Sequence, residues 1–228
     1  MQAAQLEHLR MGLSDLRKGA LFNLIGYAML LVAMMAMLSF LPMILQLPSL
    51  GYIPYSDMML PKLGLTEVLL ILLPLLIALL IGLMGFYYFF RSTGHLKRFD
   101  APRLGIGRTG MTLQLIGLIA IIVGLPATIF SIAIAPYGSF AIYALFGMLG
   151  IALVAVALLI VGDLLFGVML IRMGEVEGLA EFKTAGIIYV VGPILTLIPL
   201  ISFVGLLLDI VAQILIYVYS GRGIGAPA

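Results

Sequence analysis

The sequence of 228 residues contains no cysteine. This absence excludes disulfides, thiolate nucleophiles and thiolate-bound metals. The two histidines, His8 and His95, are far apart along the chain, and neither has a partner at the spacing of a metal site. The apolar segments also lack paired serine–histidine or histidine–glutamate clusters. We therefore expect no metal, no cofactor and no enzymatic activity.

Charged residues are scarce as well. They make up 10% of the chain, against about 25% in a soluble domain, while hydrophobic residues make up 64%. With so few charges, water cannot be the main solvent of this protein, and we expect it to be surrounded by membrane lipids. The formal net charge of +2 is too small to favour binding to nucleic acid.

Long apolar runs make up most of the sequence. A spanning helix needs roughly 20 apolar residues, because the hydrocarbon core is about 30 Å thick and each residue rises about 1.5 Å. Lipid cannot satisfy backbone hydrogen bonds, so such runs must be helical. The sequence therefore predicts an all-α, polytopic membrane helix bundle over residues 20–220. Its six predicted spans are residues 20–47, 65–90, 108–135, 140–171, 181–199 and 203–220.

The last apolar stretch, residues 185–220, permits two interpretations. It is too long for one helix and short for two, and Pro193 and Pro199 interrupt it. The favoured interpretation is a hairpin of two helices with its turn at residues 199–202, because proline disfavours helix in the residue before it. The alternative is one long, kinked helix, which would place the C-terminus on the opposite side of the membrane.

The distribution of basic residues predicts the orientation. With six spans, eleven of the twelve lysines and arginines fall in the segments on one side, and only Lys62 falls on the other. Loops rich in lysine and arginine remain in the cytoplasm. We therefore expect a multi-pass protein of the cell membrane with both termini cytoplasmic. The eleven residues are Arg10, Arg17, Lys18, Arg91, Lys97, Arg98, Arg103, Arg108, Arg172, Lys183 and Arg222.

The two ends of the chain are predicted to lie outside the membrane, as an N-terminal segment of residues 1–19 and a tail of residues 221–228. In the N-terminal segment, Leu6, Leu9, Leu13 and Leu16 recur at helical spacing between charged residues. This pattern suits a short amphipathic helix on the inner membrane surface. It equally suits an extension of the first spanning helix into the cytoplasm.

Gly105, Gly107 and Gly110 match the G-x-G-x-x-G pattern of dinucleotide-binding loops. That function needs a preceding strand and a βαβ unit, whereas here a basic loop precedes and an apolar span follows. We instead expect these glycines to let the start of the third helix approach a neighbour closely.

Five basic residues cluster between the second and third spans. They could bind an anionic lipid, at roughly 1 kcal/mol per residue near the surface, or dock an acidic partner subunit. They could also serve only as an orientation signal. The five residues are Arg91, Lys97, Arg98, Arg103 and Arg108.

Two carboxyl groups lie within predicted spans. Counting from the inner ends of their helices places Asp163 about 13 Å and Asp209 about 16 Å above the inner boundary. A charge at that depth costs at least about 2.5–3.5 kcal/mol. Gln213 lies one turn from Asp209, and Gln114 enters from the third helix. These four residues form either a proton or cation pathway or a structural contact that holds the fourth and sixth helices together.

Three sequence motifs carry a family resemblance over the whole chain. They are Leu16-Arg-Lys-Gly-Ala-Leu, Leu104-Gly-Ile-Gly-Arg-Thr-Gly at the third helix, and Glu177-Gly-Leu-Ala-Glu before the closing hairpin. In these the chain resembles the domain-of-unknown-function family DUF973, a family of archaeal multi-pass membrane proteins. The resemblance implies an archaeal origin and a multi-pass fold, and it brings no activity and no catalytic residues.

Two functions fit these observations. The first is a non-catalytic accessory or scaffold subunit that binds other membrane protein subunits, since the connections are short and nucleophile, metal and cofactor patterns are missing. The second is a small transporter or a proton or cation pathway that uses Asp163 and Asp209. Against the second, the sequence shows no inverted repeat of the kind found in many transporters.

The predicted orientation can be tested with single cysteines, because the chain has none of its own. Cysteine introduced at Ser56 should react with a membrane-impermeant maleimide added outside intact cells. Cysteine introduced at Lys97 should react only after the cells are opened. The opposite pattern at either position would contradict the orientation.

Overall fold

A computed structural model describes residues 2–39, 65–124, 126, 139–176 and 178–225. Its regular structure within these residues is entirely helical. The third helix ends in a single π-helical turn at Ala120–Gly124. The six helices are α1 (Gln2–Ser39), α2 (Leu65–Phe99), α3 (Ala101–Ile119), α4 (Ser139–Met173), α5 (Phe182–Thr196) and α6 (Ser202–Gly225).

Five of the described helices are long and apolar enough to cross a membrane, and α5 is a shorter apolar helix of 15 residues. The predicted all-α, polytopic helix bundle is thereby confirmed. The last apolar stretch forms the hairpin of α5 and α6 and not one kinked helix. Helix α5 ends at Thr196, three residues before the predicted limit, because Ile198 precedes Pro199 and helical geometry is disfavoured there.

Helices α2 and α3 extend beyond their predicted limits at residues 90 and 108. The segment predicted as a basic loop is helical, and only Asp100 separates the two helices. The Asp100 carboxyl accepts a hydrogen bond from the Arg103 backbone N–H at 3.1 Å, and Pro102 lies in the first turn of α3. An acidic N-cap and an early proline both favour a helix start. These local signals therefore set the boundary at Asp100.

The N-terminal segment of residues 1–19 belongs to α1, which runs without a break from Gln2 to Ser39. Leu13 and Leu16 are buried in the protein core, so this segment packs against other helices as an extension of the first span. At the other end of the chain, α6 continues through Gly225. The predicted span limits at residues 47 and 135 lie outside the described residues.

The helices form a closed ring. Each helix packs against the next one along the chain, and α6 returns to pack against α1. Within the described residues, no helix backbone approaches another across the ring. Short connections favour such antiparallel neighbours. One end of the ring, called here the basic end, holds the starts of α1, α3 and α5 and the ends of α2, α4 and α6.

The half of the ring toward the basic end is filled with side chains. Its core brings together Leu16, Leu96, Leu104 and Met169, all of which are fully buried. Close approach of α3 and α4 contributes to this packing, because a Cβ atom at Gly110 would lie 2.6 Å from the Gly162 carbonyl oxygen. The expected role of the glycines at the start of the third helix is thus observed at Gly110.

Substitution at this close contact should destabilise the fold. Gly110→Ala would force α3 and α4 apart, and overpacking of this kind costs about 1–3 kcal/mol. Gly147→Ala is the matched control, since no described atom lies within 4 Å of a Cβ atom there. The free energy of unfolding in mixed micelles should fall for Gly110→Ala and stay unchanged or rise slightly for Gly147→Ala. Equal stability of the two variants would contradict the packing described.

Candidate functional site: a polar cavity inside the helix ring

A cavity of about 480 Å³ lies inside the ring, and all six helices contribute side chains to it. Apolar groups of α1 and α2, including Leu30, Leu75 and Leu79, form one wall. The polar groups lie on several helices and face the same space. They are Asn23 and Tyr27 of α1, Gln114 of α3, Asp163 of α4, Tyr189 of α5 and Gln213 of α6.

An aromatic layer separates the cavity from the packed half of the ring. Phe89 and Phe166 have ring centroids 5.0 Å apart, and Phe166 and Tyr189 have centroids 5.1 Å apart. Phe166 lies three residues after Asp163, toward the basic end of α4. The three rings therefore form a floor beneath the Asp163 carboxyl.

Asp163 joins three helices through hydrogen bonds. Its Oδ1 atom accepts from Gln114 Nε2 at 2.7 Å and from the Tyr189 hydroxyl at 3.1 Å. Within the described chain, no group donates to its second oxygen, Oδ2. A carboxyl group can accept about four hydrogen bonds, so Asp163 retains unused acceptor capacity beside the cavity.

Gln213 carries a second unused acceptor. The residue is 2% exposed and lines the cavity, and its Oε1 atom is buried without a hydrogen-bond partner in the described structure. Leaving a buried acceptor unpaired costs about 1–3 kcal/mol, and such groups are uncommon in folded proteins. Asp163 thus keeps an acceptor at the cavity for which the described protein supplies no donor, whereas Gln213 Oε1 is buried beside the cavity.

Asp209 does not line the cavity, but its carboxyl lies close enough to Asp163, Tyr27 and Tyr189 to interact electrostatically with all three. Its half-buried carboxyl packs against α5, where a Cβ atom at Gly192 would collide with it. The sequence suggested that the fourth and sixth helices meet at Asp163 and Asp209. In the ring, α5 lies between α4 and α6 and packs against both. Tyr189 of α5 therefore supplies a hydrogen bond to Asp163, while Asp209 stays within electrostatic reach of the same carboxyl.

Sequence reasoning missed three of the polar groups that line the cavity: Asn23, Tyr27 and Tyr189. Their signal was a polar side chain in the middle of an apolar run, the same signal that identified Asp163 and Gln114. Asn23 also packs closely against α2, because a Cβ atom at Gly85 would collide with its side-chain oxygen. Their common orientation depends on how the helices rotate about their axes in the ring, which sequence spacing within one helix does not determine.

The five basic residues of the predicted patch separate in the structure. Arg91, Arg98 and Arg108 line a cleft of about 280 Å³ at the basic end, which we call the basic cleft. Arg103 instead pairs with Asp100, with its Nε atom 3.7 Å from the carboxylate. Lys97 packs beside Gly105. The remaining lining residues of the basic cleft are Tyr87, Phe90, Gly94 and His95.

The two histidines, distant in sequence, meet beside this cleft. The ring centroids of His8 and His95 are 6.0 Å apart. Asp15, which is 5% exposed, lies 3.1 Å from Arg91 Nε and 3.8 Å from His95 Nε2. No group of three metal-ligating side chains occurs among residues that the structure describes. We interpret this cluster as a polar contact between α1 and α2.

The fold and the cavity together define a class: a polytopic helix bundle of membrane type, with a partly open, largely apolar cavity that all six helices line and into which a few polar groups project. The chain belongs to the family described as Protein of unknown function (DUF973), whose model matches residues 10–220. The family resemblance inferred from the sequence is therefore confirmed. No curated protein matches the chain. No solved structure matches it either.

The hydrogen bonds of Asp163 can be tested by stability. Asp163→Asn keeps an oxygen that can accept from both Gln114 and Tyr189, so the free energy of unfolding should change little. Asp163→Leu loses both bonds, and we expect a loss of about 1–2 kcal/mol for interhelical bonds of this kind. Tyr189→Phe loses one bond and should give a smaller loss. Wild-type stability of Asp163→Leu in mixed micelles would contradict a structural role for these contacts.

Proposed function

We propose that this protein binds and moves a small cationic solute through the cavity inside the helix ring, as a small membrane transporter. One observation carries the proposal: the Asp163 carboxyl borders a cavity of about 480 Å³ and retains an oxygen without a described donor. Ionisable groups placed inside a membrane protein are costly and usually mark a pathway or a binding site.

The charge and hydrogen-bonding character of the cavity favours a cation with donor groups. Its lining contains one carboxyl group and no lysine, arginine or histidine among the described residues. Gln213, which also lines the cavity, has a buried Oε1 acceptor without a described partner that a rotation of its amide would turn toward a solute. Aromatic rings of Tyr27, Phe86 and Phe89 also border the space. Aromatic faces attract cations, most strongly where water is excluded.

The size of the cavity favours an organic cation over a bare metal ion. Cavities of roughly 300–1,000 Å³ are typical of sites for small organic molecules. A metal ion such as Ca²⁺ is instead held by a tight cage of six to eight oxygen atoms. The apolar wall formed by Leu30, Leu75 and Leu79 suits the carbon skeleton of an amine, whose charged end would lie near Asp163.

Transport in proteoliposomes tests the proposal. The full chain is reconstituted and uptake of choline is measured, together with Na⁺, K⁺ and proton fluxes. We expect the wild type to take up the organic cation and the Asp163→Asn variant, whose stability should be unchanged, to lose this uptake. Glu181→Gln is the matched control, because it makes the same chemical change in an exposed ion pair with Arg222 at the basic end. Absence of any cation flux in the wild type, or equal flux in Asp163→Asn, would contradict the proposal.

A second candidate is the accessory or scaffold subunit of a membrane complex. It is supported by Gly147 and Gly150 of α4, where no described atom lies within 4 Å of a Cβ position. Small residues let membrane helices approach each other closely, and among the described residues none covers this part of α4 at the two glycines. Gly117 of α3 does not offer such a surface, since a Cβ atom there would lie 2.9 Å from the Ala155 carbonyl oxygen within the chain itself.

Extraction of native membranes in mild detergent tests this second candidate. If a partner packs on α4, Gly150→Leu should release the protein from a larger complex while the free chain remains folded. Gly150→Ala, which adds far less volume, is the control and should stay bound. A wild-type protein that migrates alone in mild detergent would count against the subunit function.

A further inference from the structure

The basic cleft is separate from the cavity and shares no lining residue with it. It is about 280 Å³ in volume and lies where α2 and α3 approach the basic end. We propose that this cleft binds the phosphate of an anionic phospholipid headgroup. The proposal goes beyond the transport function and does not depend on it.

Two arginines of the cleft are fixed in place, each by part of its guanidinium group. Arg108 Nη1 donates to the Phe90 carbonyl oxygen, and the Arg108 guanidinium carbon lies 3.4 Å above the Phe90 ring centroid. Arg91 Nε contacts the Asp15 carboxylate at 3.1 Å. Each guanidinium has five N–H donors, so both arginines keep donors that have no described partner. They are positioned before any ligand arrives.

Arg98 supplies a third guanidinium, which is exposed and has no described partner. The carboxylate of Asp15 offsets one of the three positive charges, which leaves an excess of two around the cleft when His95 is neutral. Arginine donors match phosphate oxygens geometrically and bind them in pairs. A phosphate group is therefore the ligand that these three side chains suit best.

The position of the cleft points to a lipid as the source of that phosphate. Arg91 lies eight residues before the end of α2, and Arg108 lies seven residues after the start of α3. At about 1.5 Å per residue, both are roughly 12–14 Å from the turn at Asp100. The apolar part of α2 ends at Phe90, next to Arg91, so the arginines lie at the depth of lipid headgroups. Tyr87 and Phe90 border the cleft on the side where acyl chains would lie.

Gly94 keeps the cleft open. A Cβ atom at Gly94 would lie 3.6 Å from Arg108 Nη1, which is ordinary van der Waals contact. Alanine therefore fits at this position, whereas leucine would extend into the space between the three arginines. This pair of substitutions changes the shape of the cleft and leaves every charge in place.

The experiment uses the full chain in mild detergent, with bound lipid counted by native mass spectrometry during titration with phosphatidylglycerol. We expect one tightly bound lipid per chain. Arg98→Gln should weaken it by about fivefold or more, the factor that corresponds to about 1 kcal/mol per basic residue. Lys97→Gln is the matched control, with the same loss of charge at the neighbouring position outside the cleft, and should change the affinity by less than about twofold. Gly94→Leu should abolish binding, and Gly94→Ala should retain it.

Three results would overturn the proposal. Equal weakening by Arg98→Gln and Lys97→Gln would show a diffuse electrostatic surface and no discrete site. Equal binding of phosphatidylcholine would show that the anionic headgroup is not recognised. Inorganic phosphate that binds the detergent-purified chain and displaces phosphatidylglycerol at equal concentration would assign the cleft to a free anion and not to a lipid.

Discussion

Close contact between α3 and α4 at Gly110 and Gly162 is the constraint on which the interior depends. Two residues without side chains let the helix backbones approach, and a Cβ atom at either glycine would meet the carbonyl oxygen of the other. This approach brings Gln114 of α3 within 2.7 Å of Asp163, the residue next to Gly162. Lipid gives helices no hydrophobic reason to associate, so membrane helices rely on such packing and on hydrogen bonds between them. Here the contact between Gly110 and Gly162 supplies close packing and also brings Gln114 and Asp163 into hydrogen-bonding distance.

The two halves of the ring follow from the size of the side chains that point inward. Toward the basic end, large groups such as Phe166, Met169 and Phe182 fill the centre. Beyond the aromatic rings, Gly82 borders the cavity, and its missing side chain leaves space there because no described atom lies within 4 Å of a Cβ position. The polar groups of the cavity therefore lie against a closed floor on one side.

The basic end is held together by contacts of its arginines with neighbouring helices. Arg91 links α2 to the buried carboxylate of Asp15 on α1, and Arg222 links α6 to Glu181 beside α5. Arg17 of α1 donates to the Tyr217 hydroxyl of α6, which helps to close the ring between the first and last helices. Exposed ion pairs contribute little stability individually, about 0–1 kcal/mol. Their effect here is to fix the orientation of guanidinium groups at the basic end.

The sequence by itself determined the fold class and the number of helices, because the length and spacing of apolar runs are properties of single segments. It also identified Asp163, Gln114 and Gln213, since a polar group in an apolar run is visible without any neighbour. The tertiary structure decided which of these groups face one another. It placed α5 between α4 and α6, so that Tyr189 and not Asp209 bonds to Asp163, and it brought His8 to His95. Those contacts depend on the order and rotation of helices within the ring, which packing between side chains of distant segments sets and no single segment encodes.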